Sequence, residues 1–184
     1  VKRVAAVVLL AIVTGCSRLS PGGEPIRPAH HHELRIGDIG DVTTLNPLLS
    51  SDLIVEWMSQ LTMAYLVRYD RANRPIPELA IAVPSKSNGG ISQDGKTITY
   101  HLRRRLTWSD GARLNADDVV FSTRLILNAK TNIVSRSGWD RIATIEEPDK
   151  YTVVFHLREP YGPYAATFFS TGGANPAIMP AHLL

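Results

Sequence analysis

Residues 108–122 read Trp-Ser-Asp-Gly-Ala-Arg-Leu-Asn-Ala-Asp-Asp-Val-Val-Phe-Ser. Asn115 is a residue type that caps helix starts, and Asp117 and Asp118 place negative charge in the first turn after it. Ala116, Val119, Val120, Thr123 and Leu127 then recur on one stripe. The stretch predicts an amphipathic helix from Asn115 to about Ala129. Asp117 and Asp118 do not form a catalytic carboxylate pair, because adjacent helical residues point about 100° apart. Helix-start electrostatics accounts for both.

On either side lie two look-alike segments, Thr97-Ile-Thr-Tyr-His-Leu-Arg103 and Thr152-Val-Val-Phe-His-Leu-Arg158. Both alternate with period two. Ile98, Tyr100 and Leu102 share one face of the first; Val153, Phe155 and Leu157 share one face of the second. They predict two strands of a half-buried sheet. Asp94-Gly95 predicts a turn before the first, and Glu147-Pro148-Asp149 a turn before the second. His101 and His156 fall on the outer faces, with no nucleophile or acid at a useful spacing. Tyr161, Tyr164, Phe168 and Phe169 form an aromatic cluster that fits either a core or the wall of a binding cleft.

Towards the N-terminus, a helix is expected from about Asp52 to Arg68, capped by Ser51, with Ile54, Met58, Leu61 and Tyr65 on one stripe. Residues 69–74 form a polar turn. Pro75, Pro77 and Pro84 exclude a regular helix across their region. Residues 85–95 are a polar loop. Residues 43–51 are loop-like, with Asn46-Pro47 as a turn signal. Leu34–Ile39 alternates well enough for a short strand.

The first residues, 1–16, read Val-Lys-Arg-Val-Ala-Ala-Val-Val-Leu-Leu-Ala-Ile-Val-Thr-Gly-Cys. Lys2 and Arg3 precede an apolar run from Val4 to Val13. As a helix that run spans about 15 Å, half of a hydrocarbon core of roughly 30 Å. It has the length of a secretory signal core rather than of a membrane span. Val13-Thr14-Gly15-Cys16 resembles the lipobox of bacterial lipoproteins, with Val13 where leucine is usual. That resemblance implies removal of residues 1–15 and lipidation of Cys16. A signal peptide cut near Gly15, leaving a free cysteine, is the simpler alternative. Residues 16–33 are rich in Pro, Gly and Ser and are expected to be a flexible tether. His30, His31 and His32 lie within it. Successive side chains diverge there, so they do not preform a tetrahedral metal site.

The chain has 184 residues, 44% of them hydrophobic and 20% charged, which suits one folded domain rather than a disordered chain. Its 20 Lys and Arg exceed its 17 Asp and Glu by three, and Lys2 and Arg3 belong to the segment expected to be removed. The remaining surplus is too small to indicate nucleic-acid binding. The one cysteine excludes an internal disulfide. No GxGxxG, HExxH, GxSxG or CxxC occurs; Gly90-Ile-Ser-Gln-Asp-Gly-Lys-Thr97 fits the pattern GxxxxGK[ST] but runs into the strand expected from Thr97, where a phosphate loop opens a helix. Neither a cofactor nor an enzyme activity is expected.

Taken together the blocks resemble the N-terminal portion of the extracellular solute-binding proteins of family 5, the dipeptide- and oligopeptide-type receptors of ABC importers. Residues 108–122 carry most of the resemblance, with Asn115 where threonine is usual. Leu66-Val67-Arg68-Tyr69-Asp70, Ile76-Pro77-Glu78-Leu79-Ala80, Asn46-Pro47-Leu48, and Ile178-Met179-Pro180-Ala181-His182-Leu183-Leu184 follow in family order. The usual tryptophan after Leu79-Ala80 is replaced by the run Ile81-Ala82-Val83-Pro84.

The resemblance implies an α/β fold of periplasmic-binding-protein type II, two-lobed with an extra N-terminal domain, and incomplete here. Residues 34–184 would supply the start of lobe I, most of the extra α+β domain and the return towards lobe I. It implies capture of a peptide or other small solute outside the cytoplasmic membrane, and delivery to ABC permease subunits, from a membrane-anchored position. Asn46, Pro47, Leu48 and Tyr69 are the candidate ligand contacts, with the main ones beyond residue 184. Three other readings stand beside this one. They are a truncated or degenerate product that binds nothing, a lipid-anchored hydrolase whose nucleophile and base are not visible, and a sensor domain of a cytoplasmic regulator.

Overall fold

A computed structural model describes residues 36–38, 40–172 and 176–184. The expected signal segment, Cys16, the tether and the three histidines lie outside the described residues. Of the strand expected over Leu34–Ile39, Ile36, Gly37 and Asp38 are described, and they carry no strand. The fold below is that of the unit Asp38–Leu184. No helix among the described residues is long and apolar enough to cross a membrane.

The two look-alike segments form strands and pair with each other. β3 (Thr97–His101) runs antiparallel to β5 (Thr152–Leu157), and β5 also pairs with β4 (Ile142–Asp149), giving the sheet order β3-β5-β4. The alternation holds, since Ile98, Tyr100, Leu102, Val153, Phe155 and Leu157 are all buried. Thr97 stands opposite His156, His101 opposite Thr152, and Thr99 opposite Val154 between them. Like residues of the two segments therefore exchange places about Thr99 and Val154.

Asp94-Gly95 makes the expected turn, with Gly95 at φ 71 and Ile91 bridged back to Ile98. Glu147-Pro148-Asp149 does not. It lies inside β4, where the register shifts between Glu146 and Asp149, and the chain reverses at 150–151 instead. A proline has no N–H for the ladder, so it sits at an irregularity on an edge strand.

The helix from Asn115 forms as read, as α2 (Ala116–Leu127). The Asn115 side chain accepts from Asp117 N at 2.7 Å, and Asn115 N donates to Asp118 Oδ2 at 3.0 Å, a reciprocal cap. The buried stripe is Ala116, Val119, Val120, Thr123 and Ile126, with Leu127 turned half outward. At the far end Arg136 donates to the carbonyls of Ile126, Asn128 and Thr131, and so gathers the chain that follows the helix around its last turn.

The first helix is shorter than its pattern. α1 (Leu53–Thr62) starts at Asp52, not Ser51, and no side-chain cap bond is made there. Val55 and Ser59 are its buried residues, while Leu61 of the expected stripe is 74% exposed. Beyond Met63 the chain extends. Tyr65, Leu66 and Val67 are consecutive and fully buried, which a helix with one buried face cannot achieve. Leu66 N instead donates to Phe169 O, and Glu78 N and Leu79 N donate to Leu66 O and Tyr65 O. β1 (Val67–Tyr69) and β2 (Pro75–Pro77) form a hairpin across a polar turn, with Asn73 at φ 57.

The aromatic residues fill the space under the sheet. Phe155 stacks on Phe168 at 5.3 Å, and Trp139 meets Phe168 at 5.2 Å and Phe169 at 4.9 Å. Each such burial contributes roughly 1.5–3 kcal/mol. Phe168 and Phe169 are thus core. They follow a single helical turn, α3 (Tyr164–Thr167).

Candidate functional site

The loop at Asn46 is built by its own side chain. Asn46 Oδ1 accepts from Leu48 N at 2.9 Å, Asn46 N donates to Thr44 Oγ1 at 3.1 Å, and Leu49 N donates to Asn46 O at 3.1 Å. Asparagine favours such a local turn, and Pro47 fixes its first torsion. Leu48 then buries its side chain, and its carbonyl accepts from Val134 N at 3.0 Å. One backbone bond thus ties the 46–49 loop to the 131–137 segment, which Arg136 in turn fastens to the end of α2.

Between these segments opens a cavity of about 310 Å³. Its apolar side is Pro47, Leu48, Ile126, Ile133, Val134 and Trp139. Its polar side is Ser50, Ser51, Glu56, Ser59, Ser135, Ser137, Tyr161 and Thr167. The size lies at the lower end of small-molecule sites, and the mixture of apolar wall and scattered hydroxyls is typical of them.

The polar groups are held in place. Tyr65 Oη donates to Ser59 Oγ at 3.0 Å, and Ser59 Oγ donates to Glu56 O at 2.8 Å. Burial pushes the Tyr65 hydroxyl pKa up, against the opposing effect of the Ser59 bond. Tyr161 Oη and Thr167 Oγ1 lie 3.1 Å apart. Gly138, at φ 81, is required beneath them, since a Cβ there would come within 2.5 Å of Tyr161 Oη.

Among the lining residues there is no histidine, lysine, arginine or cysteine. Glu56 is the one carboxylate among the lining residues. Among the described residues no group of three His, Cys, Asp or Glu could hold a metal. His101 Nδ1 lies 3.3 Å from Thr152 Oγ1, and His156 Nε2 lies 3.5 Å from Glu146 Oε1. Both are on the outer face of the sheet.

The four candidate contacts do not all meet. Pro47 and Leu48 line the cavity, and Asn46 shapes the loop that carries them. Tyr69 is not among its lining residues. Its N–H donates to Thr171 Oγ1 at 3.2 Å and its ring lies over Gly172. Cys16 lies outside the described residues. The serines, Trp139 and Thr167 carry no local sequence signal for a site. Tyr161 did carry one, in the aromatic cluster, which the fold divides between core (Phe168, Phe169) and cavity wall (Tyr161).

Residues 74–181 match the sequence profile of the bacterial extracellular solute-binding proteins, family 5 Middle. Protein XP55 of Streptomyces lividans is 35% identical over 162 residues, covering 88% of this chain and 28% of that protein. The oligopeptide-binding protein AppA of Bacillus subtilis is 26% identical over 158 residues, covering 86% of this chain and 27% of that one. The chain therefore spans little more than a quarter of the length of these relatives. The structure of AppA with a nonapeptide superimposes with a TM-score of 0.70 at 23% identity, over 80% of this chain and 27% of that chain. The binding protein AgaA of A. tumefaciens R10, solved with agropinic acid, gives a TM-score of 0.69 at 27% identity, over 79% of this chain and 28% of that chain.

Proposed function

The chain belongs to the bacterial extracellular solute-binding proteins of family 5, and on that premise we propose that it is the N-terminal portion of an ABC-importer receptor. The receptor captures a peptide or related small solute outside the cytoplasmic membrane and hands it to the permease subunits. The observation that carries this reading is the family match over residues 74–181, on a chain whose fold superimposes on AppA with its nonapeptide and on AgaA with agropinic acid. In such receptors a hinge closes two lobes over the ligand. Residues 34–184 supply part of that framework, and the return segment from Ile178 leads back to lobe I.

Residues 1–15 act as a lipoprotein signal, Cys16 carries the lipid, and residues 16–33 tether the domain. Asn46, Pro47, Leu48 and Tyr69 are this portion's share of the ligand contacts. The cavity beside Pro47 and Leu48 supports the first three. A mostly neutral wall that carries several hydroxyls suits a ligand recognised through its backbone groups rather than its side chains.

The test is made on the native product extracted in detergent from the source membranes. Intact mass should show a longer protein with acyl mass on Cys16. Calorimetric titration of that product with di- to nonapeptides should give saturable binding, weakened by Leu48→Ala or Pro47→Ala. A native product that binds no peptide or small solute would sink the receptor role. A mass without acyl groups would sink the anchor alone.

A further inference from the structure

We propose that Arg104, Arg105 and Arg113, with Tyr151 beside them, form an oxyanion site for a phosphate-bearing ligand. The site lies on the face of the domain marked by the start of α2. It does not depend on the receptor role.

The three arginines line a concave space of about 520 Å³ together with Leu106 and Lys150. The segments that carry them are fixed by main-chain bonds. Leu114 N donates to Leu106 O at 3.1 Å, Leu102 N to Tyr151 O at 2.7 Å, and Ala116 N to Lys150 O at 3.0 Å. Thr107 and Arg113 bridge antiparallel. The Arg104 guanidinium lies 5.1 Å above the centre of the Tyr151 ring, which orients its plane. Arg105 is held at φ 65, a region that non-glycine residues seldom adopt.

The local charges cancel only in part. Lys150 is taken by Asp117, at 2.6 and 2.8 Å, and the Asp118 carboxylate accepts from Asn115 N and Ala181 N. Arg103, next in the run, turns away and donates to Glu78 O. Among the described residues, no carboxylate forms an ion pair with Arg104, Arg105 or Arg113. The Asp149 carboxylate accepts from Tyr151 N at 2.7 Å and keeps its charge, so it offsets part of the charge of Arg104 and leaves the surplus on Arg105 and Arg113. Three guanidinium groups around one concavity repel each other until an anion enters. Their planar forks pair with the oxygens of phosphate and carboxylate alike, and three of them together suit the greater charge and oxygen count of a phosphate group.

A phosphate group can come from free phosphate esters or from a lipid headgroup, and the experiment separates the two. The full chain is titrated with inorganic phosphate at low ionic strength. In parallel it is floated with vesicles of phosphatidylglycerol in phosphatidylcholine, and with phosphatidylcholine alone. Two variants accompany it. One is Arg104→Gln, Arg105→Gln, Arg113→Gln. The other removes equal charge elsewhere, at the exposed Arg71, Lys130 and Arg158, each to Gln.

The expected result is saturable binding in at least one arm, weakened about tenfold or more in the first variant and little changed in the second. Binding of free phosphate assigns the soluble source. Retention on phosphatidylglycerol vesicles alone assigns the lipid source. Absence of binding in both arms overturns the site, as does equal loss in the two variants. All six substituted side chains are exposed, so matching thermal melts are expected and check that each variant is folded.

Discussion

Tyr100 lies at the centre of the core with its hydroxyl buried and without a hydrogen-bond partner. Burial pushes its pKa far up, so the group stays a neutral phenol that pays for desolvation and gains no bond. Tyr100→Phe keeps the ring against Phe155 at 5.9 Å and removes the orphan oxygen. The expected outcome is a gain in stability on the order of 1 kcal/mol, read from the urea midpoint. A loss would show that the hydroxyl has a partner in solution. Asp110 makes the opposite case. His182 Nε2 lies 2.7 Å from Asp110 Oδ2, and that bond, with a second from Ala112 N, holds the carboxyl below its ordinary value of 3.8. A carboxyl depressed in the folded state stabilises above its unfolded pKa, and that contribution fades as pH falls through the folded one. Melting curves of the wild type and Asp110→Asn should therefore differ at neutral pH and converge in strong acid, below the ordinary aspartate range. Curves that stay parallel down to that pH would show that the bond carries no stability.

At the scale of elements, α2 is the joint on which the returning chain is hung. Ser122 accepts from Met179 N at 2.8 Å while donating to Asp118 O, and Asp118 Oδ1 accepts from Ala181 N at 3.0 Å. Two polar residues one turn apart, both buried, thus fasten residues 179–181 to the helix. Ser122→Ala strands the Met179 amide and should cost about 1–3 kcal/mol, with earlier hydrogen exchange at residues 178–181 than elsewhere. A uniform loss of protection would mean that the joint is not local. The start of this helix was legible, because its cap is a short-range pattern of Asn115, Asp117 and Asp118. The second duty of Asp118 was not, since its partner is 63 residues away along the chain. The same contrast explains α1. Helical periodicity over residues 52–68 is real, yet Leu66 and Val67 pair with distant backbone at Phe169 and Ser170, and that pairing prevails. The twin strands were legible because alternation of buried residues is local, whereas the turn between β4 and β5 was misplaced by a proline inside a bulge.

For the whole molecule, family and fold were legible through blocks in a fixed order, and of the cavity wall the sequence singled out Pro47, Leu48 and Tyr161. Its other wall comes from serines and aromatic residues that acquire meaning when α2, the 131–137 segment and the Asn46 loop converge. The match of Thr97–His101 to Thr152–Leu157 has a further result. Because like residues trade places across Thr99 and Val154, the β5 of one molecule can meet the β5 of another in the same register that β3 offers it. The inward residues remain apolar in that exchange. Two unfolded copies are thus each other's decoys, and productive closure within one chain competes with closure between chains. Refolding yield after dilution from urea should fall as protein concentration rises, and Thr99→Lys with Val154→Glu, which sets like charges against each other between copies and opposite charges within one, should restore it. A yield independent of concentration would mean that the sheet closes before neighbours can meet.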